Sequence, residues 1–214
     1  MIEGLLINNG KLLTKNQVPR TKVYQERLIK IKGIEYREWM PKHSKLASAI
    51  KKKISQLGIK KDSIILYLGC STGTTVSHLS DLLTEGFIFA LDSAPRVLRE
   101  LILMAEDRNN IAPILADAFQ TETFEDKVSQ VDVIYQDIAQ RNQAEIFIEN
   151  CKKFLKKEGF AILCLKSRSA DVKKTPRQVY KEIRTQLEKE LRVVDFRELD
   201  PFQKHHGFFV CKNI

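Results

Sequence analysis

Residues 64–92 read IILYLGCSTGTTVSHLSDLLTEGFIFALD. Ile64 to Leu68 is an unbroken apolar run of strand length, and Gly69 to Gly73 is a turn rich in glycine and small hydroxyl residues. From Thr74 the apolar positions Leu79, Leu82 and Leu83 fall at helical spacing, and Phe87 to Leu91 is a second apolar run ending in Asp92. Strand, glycine turn, helix and strand in that order make one βαβ unit of a parallel sheet covered by helices.

The alternation continues in both directions. Upstream, Leu46, Ala49, Ile50, Ile54 and Leu57 share one face of a helix whose lysines point to solvent. Downstream, Pro95 suits a first helical turn, and Val97, Leu98, Leu101, Ile102 and Ala105 form the face that follows. A third strand spans Ile111 to Leu115, before Asp117, and a fourth spans Val131 to Tyr135, before Asp137. The next helix carries Ala144, Phe147, Ile148, Cys151 and Leu155 and is expected to stop at Gly159. Phe160 to Leu165 is the fifth strand, ending at Lys166. Thr175-Pro176 opens a helix with Val179, Ile183, Leu187 and Leu191. Arg192 to Phe196 and Gly207 to Cys211 complete a seven-stranded, mostly parallel sheet of Rossmann-like α/β class. Residues 1–40 differ in texture: Leu5-Leu6-Ile7, Asn8-Asn9-Gly10 and Leu12-Leu13 read as a β-hairpin around an Asn-Gly turn, with further short strands between Val23 and Ile34. The expected division is an N-terminal β-hairpin region, 1–40, and one α/β domain, 41–214.

Composition bounds the class. At about 150 residues per domain, 214 residues hold one domain and an appendage. With 43% hydrophobic and 29% charged residues the chain can bury a core, which excludes a disordered protein. No apolar stretch approaches the roughly 18 residues of a membrane helix, so no membrane partner is expected. The opening residues carry no basic leader, which predicts a cytoplasmic protein. Thirty-six Lys and Arg against 27 Asp and Glu leave a net charge of +9, favouring a polyanionic partner such as nucleic acid. Cys70, Cys151, Cys164 and Cys211 form no CxxC and sit among apolar neighbours, so buried reduced thiols are expected, with neither a disulfide framework nor a metal site.

In an open α/β sheet, ligands bind beyond the carboxyl ends of the strands. Gly69, Asp92, Asp117, Asp137 and Lys166 all fall there. The turn Gly69-Cys-Ser-Thr-Gly73 has neither the GxGxxG spacing nor the GxxxxGK[ST] phosphate loop, which argues against dinucleotides and nucleoside triphosphates. Gly69 allows close approach to the backbone, and Ser71, Thr74 and Thr75 offer hydroxyls and amides. Asp92 is placed to accept from two ribose hydroxyls, and Asp117 from an adenine amino group. A nucleoside ligand without a phosphate loop points to S-adenosylmethionine and methyl transfer. A lysine ending an apolar strand is unusual: Lys166, partly buried, paired with Asp137 and with Lys45 supplying a second ammonium, would have a depressed pKa and could take a proton from a sugar hydroxyl. His206, in the loop at the same rim, would orient the substrate or share that proton. His43 and His78 have no partner visible in the sequence.

The segments 36–50, 66–81, 95–101, 131–140 and 165–171, above all Gly73-Thr-Thr-Val-Ser-His78 and Asp137-Ile-Ala-Gln140, closely resemble fibrillarin, particularly its archaeal form, over roughly residues 20 to 212. The resemblance implies an S-adenosylmethionine-dependent methyltransferase fold and 2'-O-methylation of ribosomal RNA and transfer RNA. It implies box C/D guide RNA, a Nop-domain scaffold protein and a kink-turn-binding protein of ribosomal L7 type as partners. The family's Lys-Asp-Lys-His set falls on Lys45, Asp137, Lys166 and His206. Its cofactor contacts fall on Thr74 and Thr75 for the methionine end, Asp92 for the ribose, Asp117 and Ala118 for the adenine, and Gln140 near the methionine. Where the family usually has glutamate and an aromatic, this chain has Asp92-Ser93. Candidate phosphate contacts are Lys42, His43, Arg141, Arg168, Lys173, Lys174 and Lys204. Two other readings remain open at this level: a methyltransferase acting on a protein side chain or small molecule, and a non-catalytic RNA-binding subunit.

Overall fold

A computed structural model describes residues 2–214. β1 (Leu6–Asn8) and β2 (Lys11–Lys15) form the expected hairpin. Asn9 and Gly10 turn it with φ of 47° and 73°, the left-handed pair that a tight two-residue hairpin demands. β3 (Leu28–Ile31) and β4 (Ile34–Glu38) are a second hairpin, and the four strands make an antiparallel sheet in the order β1-β2-β4-β3.

Ser44 caps α1 (Lys45–Lys51) by accepting from the Ala47 N–H. The chain then alternates through β5 (Ile64–Leu68), α2 (Thr74–Leu82), β6 (Phe87–Asp92), α3 (Pro95–Ala105), β7 (Ile111–Leu115), β8 (Val131–Gln136), α4 (Gln143–Phe154) and β9 (Leu155–Lys166). The short α5 (Ser167–Ala170), then α6 (Pro176–Leu187), β10 (Arg192–Glu198) and β11 (His206–Lys212) complete it. The seven-stranded sheet runs β10-β11-β9-β8-β5-β6-β7, with β11 alone antiparallel to the other six strands. One face packs Leu46, Val76, Leu79 and Leu101 of α1, α2 and α3. The other packs Phe147 and Ile148 of α4 and Val179 and Leu187 of α6. Leu12 and Trp39, from the N-terminal sheet region, join the first of these cores. All four cysteines are free and buried, and no helix among the described residues is long and apolar enough to cross a membrane.

Three boundaries differ from the periodicity reading. The first helix ends at Lys51, not near Leu57: Lys53 turns left-handed at φ 58° and the N–H groups of Lys53 and Ile54 cap the Ile50 and Ala49 carbonyls, a turn that distant side chains brace. Arg197 donates to the carbonyls of Lys52 and Lys53, and Asp195 accepts from the Ser55 N–H and hydroxyl. These satisfy groups a continuing helix would have used, and Leu57 is buried from a non-helical segment. α4 stops at Phe154 rather than Gly159, and β9 begins at once with Leu155. Gly159 serves a strand irregularity there: a Cβ would lie 2.8 Å from both the Leu155 side chain and the Lys156 carbonyl. The last long helix ends at Leu187, leaving Leu191 buried beyond it.

The N-terminal sheet is fastened to α2 by a buried polar cluster. Arg37, wholly buried, bonds Glu26 at 2.6 Å and Asp81 at 2.9 Å, and Arg108 bonds the other Asp81 oxygen at 2.8 Å. The Thr14 hydroxyl donates to Asp81, so the His78 Nδ1, 2.8 Å from that hydroxyl, must be the donor to it. The Nε2 of His78 lies 2.8 Å from the Tyr24 hydroxyl, whose single proton it shares with the Glu38 carbonyl at 3.0 Å. His78 stacks on Trp39 and is held uncharged, its pKa pushed well down by burial and by the guanidinium groups of Arg37 and Arg108. The partners invisible in the sequence therefore come from Thr14 and Tyr24, more than fifty residues away.

Candidate active site

The parallel strands β5, β6, β7 and β8 end side by side, and a cleft of about 230 Å³ opens beyond them. It is lined by Gly69, Ser71, Leu91, Asp92, Ser93, Asp117, Ala118, Asp137, Ile138, Ala139 and Gln140. Eight of these eleven are sequence-selected residues; Leu91, Ile138 and Ala139 are additions. Thr74 and Thr75 do not line it. Thr75 is buried and its hydroxyl donates to Ser44 at 3.0 Å, which ties α2 to the cap of α1.

The turn after β5 is built for close approach. Gly69 and Cys70 both donate to the Leu91 carbonyl. At Gly69 φ is +79°, and a Cβ would sit 2.7 Å from the Asp137 carbonyl oxygen, so both backbone conformation and space exclude a side chain. Gly69→Ala is expected to cost about 2 kcal/mol of stability, read as a lowered melting temperature by calorimetry. An unchanged melting temperature would show that the turn relaxes freely.

Asp92 holds the turn from the next strand. Its two carboxylate oxygens accept the N–H of Ser71 at 2.8 Å and of Ala94 at 3.0 Å. An ionised carboxylate has about four acceptor positions, so two remain toward the cleft, enough for a pair of vicinal hydroxyls. Asp117 spends one oxygen on the N–H of Phe119 at 3.0 Å, leaving the other for an incoming donor.

Asp137 extends β8 and pairs with Lys45 at 2.8 Å. The sequence pattern predicts a pair with Lys166; the structure instead brings the ammonium from the start of α1. Burial lowers the Lys45 pKa, but attraction to Asp137 and the Asp137 hydrogen bond outweigh it, and Lys45 is held charged. Lys166 is exposed, not partly buried, at the end of β9. Among the described residues its Nζ has no hydrogen-bond or ion-pair partner, so of the two lysines it is the one free to exchange a proton.

His206 opens β11 directly opposite Lys166 in the antiparallel register. Its Nδ1 lies 2.8 Å from the Lys204 carbonyl, which can only accept, so this nitrogen carries a proton, and Nε2 has no hydrogen-bond partner among the described residues. Burial chiefly lowers its pKa, helped by Lys45 and Lys166 and opposed by the Lys204 hydrogen bond and Asp137. His206 is therefore a neutral imidazole at pH 7. His205 acts through its backbone, its carbonyl accepting from the N–H and hydroxyl of Ser167.

The rim is cationic and largely unpaired. Lys42, His43, Arg141, Arg168, Lys173 and Lys204 are exposed, whereas Lys174 is committed to Glu182 at 2.7 Å. Gln203 donates to the carbonyls of Pro41 and Lys42, joining the two loops that flank the mouth. Buried Gln143, which the sequence reading passed over as part of a helix, binds both backbone groups of Lys166.

The cleft walls carry three carboxylates, those of Asp92, Asp117 and Asp137, and no cation; only Lys45 stands behind one of them. Such a site repels phosphates and favours a positively charged nucleoside ligand. Beside it stand an amine, an imidazole and a fixed ion pair at the edge of a basic rim.

A family model described as Fibrillarin matches residues 4–214. The fibrillarin-like rRNA/tRNA 2'-O-methyltransferase of Thermococcus onnurineus is 48% identical over 203 residues, covering 94% of this chain and 90% of that protein. The crystal structure of Aeropyrum pernix fibrillarin with natively bound S-adenosyl-L-methionine superposes with a TM-score of 0.88 at 40% identity, covering 97% of this chain and 92% of that one. That of the fibrillarin/Nop5p complex gives a TM-score of 0.92 at 36% identity, covering 100% and 99%.

Proposed function

The chain belongs to the fibrillarin family, and from that membership we propose that it methylates ribose 2'-hydroxyls of ribosomal and transfer RNA with S-adenosylmethionine. The observation that carries this reading is the cleft with three carboxylates, no lining cation and a glycine floor. It fits a ligand with an adenosine at one end and sulfonium and ammonium charges at the other.

When bound, S-adenosylmethionine supplies an electrophilic methyl group on a positively charged sulfur. Asp92 accepts from the ribose hydroxyls, Asp117 accepts from the adenine amino group, and Gln140 and Asp137 lie toward the methionine end. Lys166, in its unprotonated form, takes the proton of the target 2'-hydroxyl as that oxygen forms its bond to the methyl carbon. The carbon–sulfur bonding pair returns to sulfur, so charge and atoms balance. The Lys45–Asp137 pair keeps a carboxylate ionised beside the transfer path, where positive charge accumulates. The Nε2 of His206 accepts a hydrogen bond from the RNA and holds the ribose against Lys166.

Asp92→Ala removes two charge-assisted acceptors for the ribose as well as the brace on Ser71 and Ala94. The expected loss is about 2 kcal/mol of cofactor binding, roughly thirtyfold in Kd, measured by titration calorimetry. An unchanged Kd would remove Asp92 from the ribose site.

Specificity belongs to partners, since the basic rim offers phosphate contacts rather than a base-reading groove. We assign that role to a box C/D guide RNA, held with this enzyme by a Nop-domain scaffold and a kink-turn-binding L7-type protein. The relative solved with Nop5p supports the scaffold. The test is transfer of a labelled methyl group into target RNA with the guide and scaffold proteins present or omitted. Label recovered as 2'-O-methylnucleoside in the full assembly supports the reading; label in protein or small molecules, or none, opposes it.

A further inference from the structure

Gln143 is the first residue of α4, wholly buried and absent from the cleft wall. Its side-chain amide nevertheless reaches the two segments that carry the chemistry. Oε1 accepts the Lys166 N–H at 3.1 Å, while Nε2 donates to the Gln140 carbonyl at 2.9 Å and to the Lys166 carbonyl at 3.3 Å. Its own carbonyl accepts from Nε2 of Gln136, the residue before Asp137, at 2.5 Å.

The need for such a group follows from the sheet. Parallel pairing of β8 with β9 ends at Gln136 and Leu163, short of Lys166. On its other side Lys166 is paired with His206 of β11. Facing β8, the N–H and C=O of Lys166 lack a strand neighbour, and the Gln143 amide supplies one acceptor and one donor to that same residue. A side chain thus stands in for a missing peptide in the ladder. The same amide holds Gln140, whose loop walls the cleft, so the lysine and the cleft are referenced to one rigid group.

We propose that Gln143 is a positioning residue that sets the placement of Lys166 relative to the methyl donor, acting on the rate of transfer and not on cofactor affinity. This rests on the methyl-transfer reading given above. Misplacing a reacting group by about 1 Å can cost on the order of a hundredfold in rate.

The test uses the full chain assembled with guide RNA and scaffold proteins. Gln143→Met keeps length and removes every side-chain hydrogen bond. Its single-turnover rate at saturating S-adenosylmethionine and target RNA is expected to fall thirtyfold or more, with cofactor Kd within threefold of the wild type. Amide hydrogen exchange at Lys166 should lose its protection. A rate within threefold of wild type, retained protection at Lys166, or equal losses in rate and affinity would overturn the proposal. If Gln143→Met does not fold, Gln143→Glu carries the test. Burial raises the pKa of the new carboxyl, and once protonated it again offers one donor and one acceptor. Its rate relative to wild type should recover as pH is lowered from 8 to 6; a constant ratio would overturn the proposal. Wild-type protein that binds cofactor in the assembly but methylates no ribose would instead refute the methyl-transfer reading, and the amide-exchange result at Lys166 would stand apart from it.

Discussion

Lys166→Ala is expected to lower the single-turnover rate of methyl transfer by about a thousandfold, within the range general-base catalysis supplies, while S-adenosylmethionine binding shifts less than threefold. The structure separates the two effects, because Lys166 is not among the residues lining the cleft and its side chain has no hydrogen-bond or ion-pair partner among the described residues. Lys45 cannot take over, since Asp137 holds it charged at 2.8 Å. Asp137 is the contrasting case: Asp137→Ala removes both a cleft carboxylate and the partner of a largely buried ammonium, so it should lower rate and cofactor affinity together. Rapid-quench transfer and calorimetric binding on both variants check the pattern. A Lys166→Ala enzyme within tenfold of wild type would remove the amine from the proton-transfer step.

Asp81→Ala is expected to cost about 3–5 kcal/mol of folding stability, the usual penalty for stranding a buried charge, and to lower the melting temperature by roughly 10 °C. Asp81 answers both Arg37 and Arg108, and the Glu26 carboxylate alone cannot neutralise two guanidinium groups. The cleft residues lie outside this cluster, so the protein that still folds should bind cofactor normally. The same cluster predicts an acid limb. His78 is uncharged in the fold with a pKa well below its ordinary 6.5, so below pH 6.5 the unfolded chain binds the proton first. Stability attributable to His78 should fall by about 1.4 kcal/mol per pH unit there, with His206, shifted in the same direction, adding to the slope. Denaturant melts between pH 5 and 8 measure it, and a flat profile would mean that neither histidine is held neutral.

What the sequence reveals and what it hides divide along contact distance. Strands ending in Gly69, Asp92, Asp117 and Asp137 are legible because strand period and turn chemistry are local, and the rule that ligands sit beyond strand ends then gathers those residues. Partner choice is not local. Asp137 could face either lysine, and only the packing of α1 against the sheet selects Lys45. Nothing near Lys51 announces the end of its helix, because a lysine, Lys53, and not a glycine takes the left-handed cap position, braced by Asp195 and Arg197 of β10. Gln143 reads as an ordinary helical polar residue until the short pairing of β8 and β9 shows which peptide it replaces. His78 likewise finds its partners only when the N-terminal sheet docks on α2.

In the proposed function this enzyme methylates the ribose its guide RNA selects, with Lys166 as the base. The most direct measurement exchanges the guide for one of altered spacer sequence in the reconstituted assembly and maps 2'-O-methylation nucleotide by nucleotide. The predicted result is a mark that moves to the newly paired position with the wild-type chain and is absent with Lys166→Ala. A mark that stays in place would exclude guide selection, and one that Lys166→Ala still installs at the wild-type rate would exclude Lys166 as the base.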